Sequence, residues 1–358
     1  MAASVHAYTY LVNINVGYSP SGVAYDASNG NVYVANAQTN VLEVIDTSTN
    51  GVTANITVGS DPLGVLVDPS SGDVYVSDSM ANTVSVVSTS SNSVVANITV
   101  GDTPAEMAYD SSNGDIYLAD SGGDTVSIIQ PSTNTVVGTV TVGTTPWGVL
   151  YDSTNNDVYV TNYNANSVSV IASSNNVTAT INVGSAPLGM ALDPVSDDVF
   201  VVDSGPTSDN VTVIQGSTNT FLQNCTVGSG PVYAAYDTAT GDIIVTNYAD
   251  GTESVIDGST LAVAPSALEG GDGPAAIVYD SANSDLYIAN SGGYTIWVYS
   301  GGSASLGTQT TTAATSSSSK SSSGVPVFPY SFAAAAVFTA LLVASYVLIR
   351  RRVSLPLR

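Results

Sequence analysis

No lysine or arginine occurs in the first 319 residues of this 358-residue chain. Its five cations, Lys320, Arg350, Arg351, Arg352 and Arg358, all follow the last acidic residue, while all 29 Asp and Glu fall from Asp26 to Asp285. The formal net charge is −24. Nucleic-acid binding needs a cationic footprint, so the long cation-free region excludes it. The same absence removes Arg and Lys forks for phosphate or carboxylate ligands. The acidic side chains are left to solvent, hydrogen bonds or metal ions. Losing their charge in acid would break no Lys or Arg ion pair and would relieve repulsion, so an acidic extracellular medium is expected.

Histidine and cysteine each occur once. His6 lies in an N-terminal segment, residues 1–7, expected to be disordered. Cys225 reads as a small packed residue in a Thr-rich strand. A single Cys makes no intrachain disulfide. A lone His with no nearby Cys leaves no His–Cys metal site, haem ligand or Ser-His-Asp triad.

What is present is a repeat. Turn prolines stand at Pro20, Pro62, Pro104, Pro146, Pro187, Pro231 and Pro274, spaced 42, 42, 42, 41, 44 and 43 residues apart. After each comes a short apolar segment ending in Asp, such as GVAYD at 22–26. A Ser/Asn/Gly/Asp turn and a second apolar segment follow, such as NVYVAN at 31–36. A third segment (TVSVVS, 83–88) and a fourth (VVANITVG, 94–101) complete the unit. Four short strands with turn signals between them, and no helical period, match one blade of a β-propeller. The expected fold is therefore all-β: a seven-bladed β-propeller of four-stranded blades over residues 8–301. Near-continuous apolar second strands fit burial on both faces, and Gly and Ala at the starts of the first strands fit a crowded axis.

The seventh unit has three strands and no fourth. LVNINVG at 11–17 aligns with the fourth strands VANITVG (95–101) and TANITVG (53–59). The N-terminal strand, residues 8–16, is therefore expected to close blade seven by pairing antiparallel with residues 295–300, which removes two open sheet edges.

Tyr159-Val160-Thr161-Asn162 reads YVTN, and YVAN, YVSD, YLAD, FVVD, IVTN and YIAN stand at the same place in the other units. With VG-x-x-P-x-G and the IDTSTN turn at 45–50, the chain resembles the YVTN family of β-propeller repeats. That resemblance implies a secreted or surface-exposed propeller of the kind found in archaeal surface-layer-like and bacterial envelope proteins. It implies no particular chemistry, because a shared fold does not fix function.

The tail differs in composition. Residues 302–325 form a Ser/Thr-rich linker with too little apolar surface to pack. Residues 326–349 carry an uncharged apolar run long enough to cross a bilayer as a helix. The Arg triplet opens a basic tail, residues 350–358, expected to be cytoplasmic with the propeller outside. Residues 1–7 hold no signal-peptide core, so an export signal upstream of Met1 is expected.

Candidate sites gather on one face, around the channel mouth. Two positions after each proline, four units carry Gly (Gly22, Gly64, Gly148, Gly189) and three carry Glu106, Tyr233 and Ala276. Glu106 is the candidate ligand for Ca²⁺, which takes oxygen donors; otherwise no cofactor is expected. Trp147, Tyr163, Tyr233, Tyr248 and Tyr294 supply aromatic surface that could stack on sugar rings. Asn36, Asp78, Asp120, Asn162, Asp203, Asn247 and Asn290 end the second strands; Asp120 and Asp203 would add charge at the mouth, or each residue of the set would close its own loop by an Asx-type bond. The first-turn Asp pairs, such as Asp110 with Asp115, lie on the opposite face and read as turn residues. Sequons stand at Asn55, Asn97, Asn176, Asn210 and Asn224. The expected function is non-enzymatic: a membrane-anchored extracellular protein acting in binding, adhesion or an envelope layer, with a protein or carbohydrate ligand. A metal-dependent hydrolase or lyase at the channel mouth is the alternative.

Overall fold

A computed structural model describes residues 6–301 of the chain, apart from 207 and 266. Within them 28 strands form seven four-stranded antiparallel sheets. Blade one shows the pattern: Pro20–Asp26, Asn31–Asn36, Val41–Asp46 and Gly51–Thr57 lie side by side in chain order. Each first strand, beginning at the repeat proline, packs against the first strands of both neighbours, so seven inner strands ring the axis.

The sequence dictates this layout through alternation. In the second strands nearly every residue is buried, because neighbouring blades cover both faces. The fourth strands alternate exposed and covered positions, as outer edges facing water must. Between successive blades the cores are separate apolar clusters, for example Val84, Val86 and Ile98 of blade two against Met107, Ile116, Leu118 and Ile129 of blade three.

Ring closure follows the expected route. Thr9–Asn15 pairs antiparallel with Thr295–Ser300, in the register Thr9↔Ser300 to Asn15↔Thr295, and completes the sheet of blade seven. Ile14 is buried there, and Tyr8 is buried against Ile244, Ile277 and Leu286. The N-terminus is held further in than expected: His6 Nδ1 lies 3.0 Å from Asp242 Oδ2.

Blade six departs from the repeat. Its fourth strand is only Leu268–Glu269. The segment before it carries Pro265, which has no N–H to give a ladder, and is tied to the third strand by a single bridge, Ile256 to Val263.

Among the described residues no helix is long and apolar enough to cross a membrane. The expected linker, span and basic tail, residues 302–358, lie outside the described residues.

Deleting residues 1–17 removes the outer strand of blade seven together with buried Tyr8 and Ile14. The expected loss is roughly 5 kcal/mol, or a drop of about 10 °C in the unfolding midpoint. Calorimetry of the truncated chain checks it; an unchanged midpoint would refute the closure.

Candidate functional site

At the axis, space is the controlling quantity. A Cβ built on Gly22 would lie 2.0 Å from the Leu63 carbonyl oxygen, and one on Gly148 would lie 2.3 Å from that of Leu188. Hydroxyls stitch the ring: Ser77 Oγ donates to the Ala105 carbonyl at 2.6 Å and Thr161 Oγ1 to that of Leu188 at 2.8 Å. Two inner strands place a large side chain at this crowded position, and those two side chains meet. Tyr233 of blade six donates its hydroxyl to Glu106 Oε1 of blade three at 2.5 Å. Trp147 of blade four, one residue earlier in its own strand, donates Nε1–H to the Tyr233 oxygen at 3.2 Å. The result is a directed chain from indole to phenol to carboxyl.

Beside it lies a cavity of about 160 Å³, walled by Gly22, Glu106, Gly148, Gly189, Tyr233 and Ala276 with Val23, Val149, Met190, Ala234 and Ile277. Glu106 faces this space and is otherwise surrounded by protein. Lost hydration holds its carboxyl above the ordinary range, partly offset by the Tyr233 hydrogen bond. Burial first, then the Glu106 charge, pushes the Tyr233 phenol well up.

Three sequence candidates, Glu106, Trp147 and Tyr233, are thus brought into one hydrogen-bonded group. Tyr163 and Tyr248 are half-buried in the loops after second strands, their backbone N–H groups bonded to Thr145 and Gly230 at 2.9 Å. They do not line the cavity. The cavity wall supplies one carboxylate, so calcium at Glu106 would complete its shell from backbone and water. Among the described residues no group of three or more His, Cys, Asp or Glu is placed to hold a metal ion.

Asp120 and Asp203 stand apart from the channel and are fully buried. Asp120 Oδ2 accepts from Ser127 Oγ at 2.7 Å and Thr125 Oγ1 at 3.1 Å. Asp203 Oδ2 accepts from Thr212 Oγ1 at 2.7 Å. Asp78, Asn162 and Asn247 bond to third-strand hydroxyls in the same way, so five of the seven strand-end Asx residues do so rather than closing their own loops, while Asn290 Nδ2 donates to the Ile288 carbonyl of its own strand. Each lies beneath a glycine of the loop arriving from the previous blade; a Cβ on Gly101 would sit 2.3 Å from Asp120 Cγ. These are latches between blades, not a collar around the mouth. The first-turn Asp residues are also structural: Asp110 Oδ1 accepts the Ser112 N–H at 2.8 Å. Cys225 is buried, its Sγ 3.4 Å from the Leu261 carbonyl. The sequon residues Asn55, Asn97, Asn176 and Asn224 are exposed, and Asn210 is half-buried.

One buried carboxyl escaped the sequence reading. Glu253 occupies the position held by Leu42, Val84, Val126, Val168, Val211 and Ile296 in the other blades, opposite Thr246 in its own sheet. It is fully buried, and neither carboxyl oxygen has a partner. Gly270 makes room for it, since a Cβ there would lie 2.7 Å from Glu253 Oε1. The signal was available as a single charged residue in an otherwise apolar column of the repeat.

The fold and the walled channel define a seven-bladed β-propeller. No protein-family model and no curated protein matches the chain. Solved structures do. A hydrazine synthase of Kuenenia stuttgartiensis superposes with a TM-score of 0.70 at 16% identity, over 80% of this chain and 96% of that one. A streptogramin B lyase does so with a TM-score of 0.70 at 16% identity, over 82% and 97%. The propeller is thereby shown, while the YVTN resemblance rests on the repeat motif alone. The expectation of a non-enzyme is corrected: both neighbours are enzymes by name, so this architecture gives it no support. At 16% identity they carry no substrate over to this chain.

Buried carboxyls set the response to pH. Burial raises Asp120 to about 6, Asp203 to about 7 and Glu253 to about 8. In the unfolded chain such groups titrate near 4. Between those values the folded state binds more protons, so stability is greatest below about pH 4 and is lost as pH rises through 6 to 8. The unfolding midpoint should fall from pH 4 to pH 8, read by scanning calorimetry. A midpoint that rises over this range would contradict the sign.

Proposed function

We propose that this is a ligand-binding propeller of the cell envelope, and that its channel mouth takes one small, uncharged, hydroxyl-bearing ring such as a terminal sugar. The observation that carries the reading is the meeting of Glu106 and Tyr233 at a ring position where the other blades carry only Gly or Ala, joined by Trp147 from the residue before Gly148. A cavity near 150 Å³ holds a single six-membered ring, and this one measures about 160 Å³. Its polar edge presents a carboxyl and a phenol able to bond hydroxyls. Its setting, in a chain of net charge −24, disfavours anions.

Envelope placement is supported by the Ser/Thr-rich tract at 302–325, the apolar run at 326–349 and the Arg triplet after it. Exposed Asn55, Asn97 and Asn224 on outer strands would carry glycans away from the channel.

A second reading, a hydrolase or lyase, is favoured by one feature. A carboxyl held above its ordinary range and in contact with a phenol is placed to move a proton.

The test is a neutral-glycan array probed with the wild-type chain and Glu106→Gln. The expected result is wild-type binding that weakens on the order of tenfold or more in the variant. Absence of binding, or binding indifferent to the substitution, rejects the site. Mass spectrometry of bound glycans after incubation separates the readings: intact ligand supports binding, and Glu106-dependent cleavage supports catalysis.

A further inference from the structure

We propose that Glu253 and Gly270 make the seam between blades six and seven a pH-operated catch: with the carboxyl neutral the outer edge of blade six lies closed, and with it ionised that edge is released. The catch lies away from the axis and does not depend on what the channel binds.

The first observation is a paired exception to the repeat. In six seams an apolar residue of the third strand shares a cluster with a valine of the loop after the fourth strand, as Leu42 does with Val58 and Val84 with Val100. In the seam after blade six both partners change: Glu253 stands in the first position and Gly270 in the second. Glu253 is fully buried, and neither of its oxygens has a hydrogen-bond partner. The carboxyl requires the glycine, since a Cβ on Gly270 would lie 2.7 Å from Glu253 Oε1.

The second observation is that this edge is weakly tied. Its outer strand, Leu268–Glu269, pairs only with Glu253 and Thr252. Four second strands reach the next blade through a tyrosine hydroxyl, as Tyr75 does by donating to Asn134 Oδ1 at 2.9 Å. Blades five and six carry Phe200 and Ile244 at that position, so neither seam of blade six has this bond. At the opposite strand ends Tyr8 pins the seam, donating to Asp237 Oδ2 at 3.0 Å. Beside the short strand, Trp297 and Tyr299 of blade seven pack against Leu268, and Tyr299 donates its hydroxyl to the Glu269 carbonyl. Release therefore begins at the Glu253 end.

No counter-charge is at hand. The ionisable groups around this place are Asp250 on the preceding turn, Glu269 on the outer strand and Tyr299 of blade seven, all acids. No Lys or Arg precedes residue 320. Burial first, then the Asp250 charge, pushes the Glu253 carboxyl up to about 8. In the open seam it meets water and titrates near 4. Between those values the closed seam keeps a proton that the open one loses. Closure is tightest below about pH 4, and the open fraction rises about tenfold per pH unit up to about pH 8. Opening frees backbone groups of the third strand, Thr252–Asp257, that the outer strand had covered.

Amide hydrogen exchange of the full chain, from pH 5 to pH 8, is compared between the wild type and Glu253→Gln, whose neutral amide copies the protonated carboxyl. The intrinsic pH dependence of exchange is common to both and cancels in their ratio. Over residues 250–257 and 268–273 the ratio of wild-type to variant exchange is expected to grow about tenfold per pH unit. Over residues 82–88 of blade two it should stay flat. Glu253→Leu combined with Gly270→Val installs the apolar pair of the other seams and should remove the slope as Glu253→Gln does. A flat ratio in blade six, an equal slope in blade two, or a slope kept by the double variant overturns the catch.

Discussion

Everything in this structure depends on how closely seven inner strands approach one axis. Their backbones come near enough that a single added carbon at Gly22 would stand 2.0 Å from a neighbouring carbonyl. Side chains cannot share that space, so the repeat places Gly or Ala there in five of seven blades. The blades then fan outward, and the interior of each is built from apolar residues caught between sheets. A site near the axis can form only where the repeat gives way. It does so at Glu106 and Tyr233, whose side chains cross the channel to each other.

The second constraint is charge. A surface and interior without Lys or Arg must satisfy buried acids by other means. Asp78, Asp120 and Asp203 do so with Ser and Thr hydroxyls on the adjacent strand, under loop glycines that leave no room for anything else. Asn162 and Asn247 fill the same role with the donor reversed, their Nδ2 groups giving to Ser169 and Ser254. A charged and a neutral residue can therefore alternate at one position without changing the geometry. Glu253 has no such partner, and its carboxyl is pushed up to about 8 in consequence.

Much of the architecture was legible in the sequence because the repeat is internal evidence of itself. Seven prolines gave the blades, and the match of residues 11–17 to other fourth strands gave the closure. Glu106 and Tyr233 were legible as exceptions to a Gly column. Their contact was not, since 127 residues separate them and only the closed ring brings them together. The Asx latches were read as local turns because their partners lie five to nine residues on, across a strand pairing that spacing alone does not fix. The short outer strand of blade six was also missed, although Pro265 announced it.

The most direct test of the central constraint is the unfolding midpoint of Gly22→Ala against that of Ala276→Gly, made at the matching position of the adjacent blade seven. If the inner strands are packed to contact, the added methyl must displace backbone, and Gly22→Ala should cost at least ~3 kcal/mol, while Ala276→Gly costs about 1 kcal/mol. Equal midpoints for Gly22→Ala and the wild type would mean that the axis has room to spare, and that Glu106 and Tyr233 are not exceptions to a crowded ring.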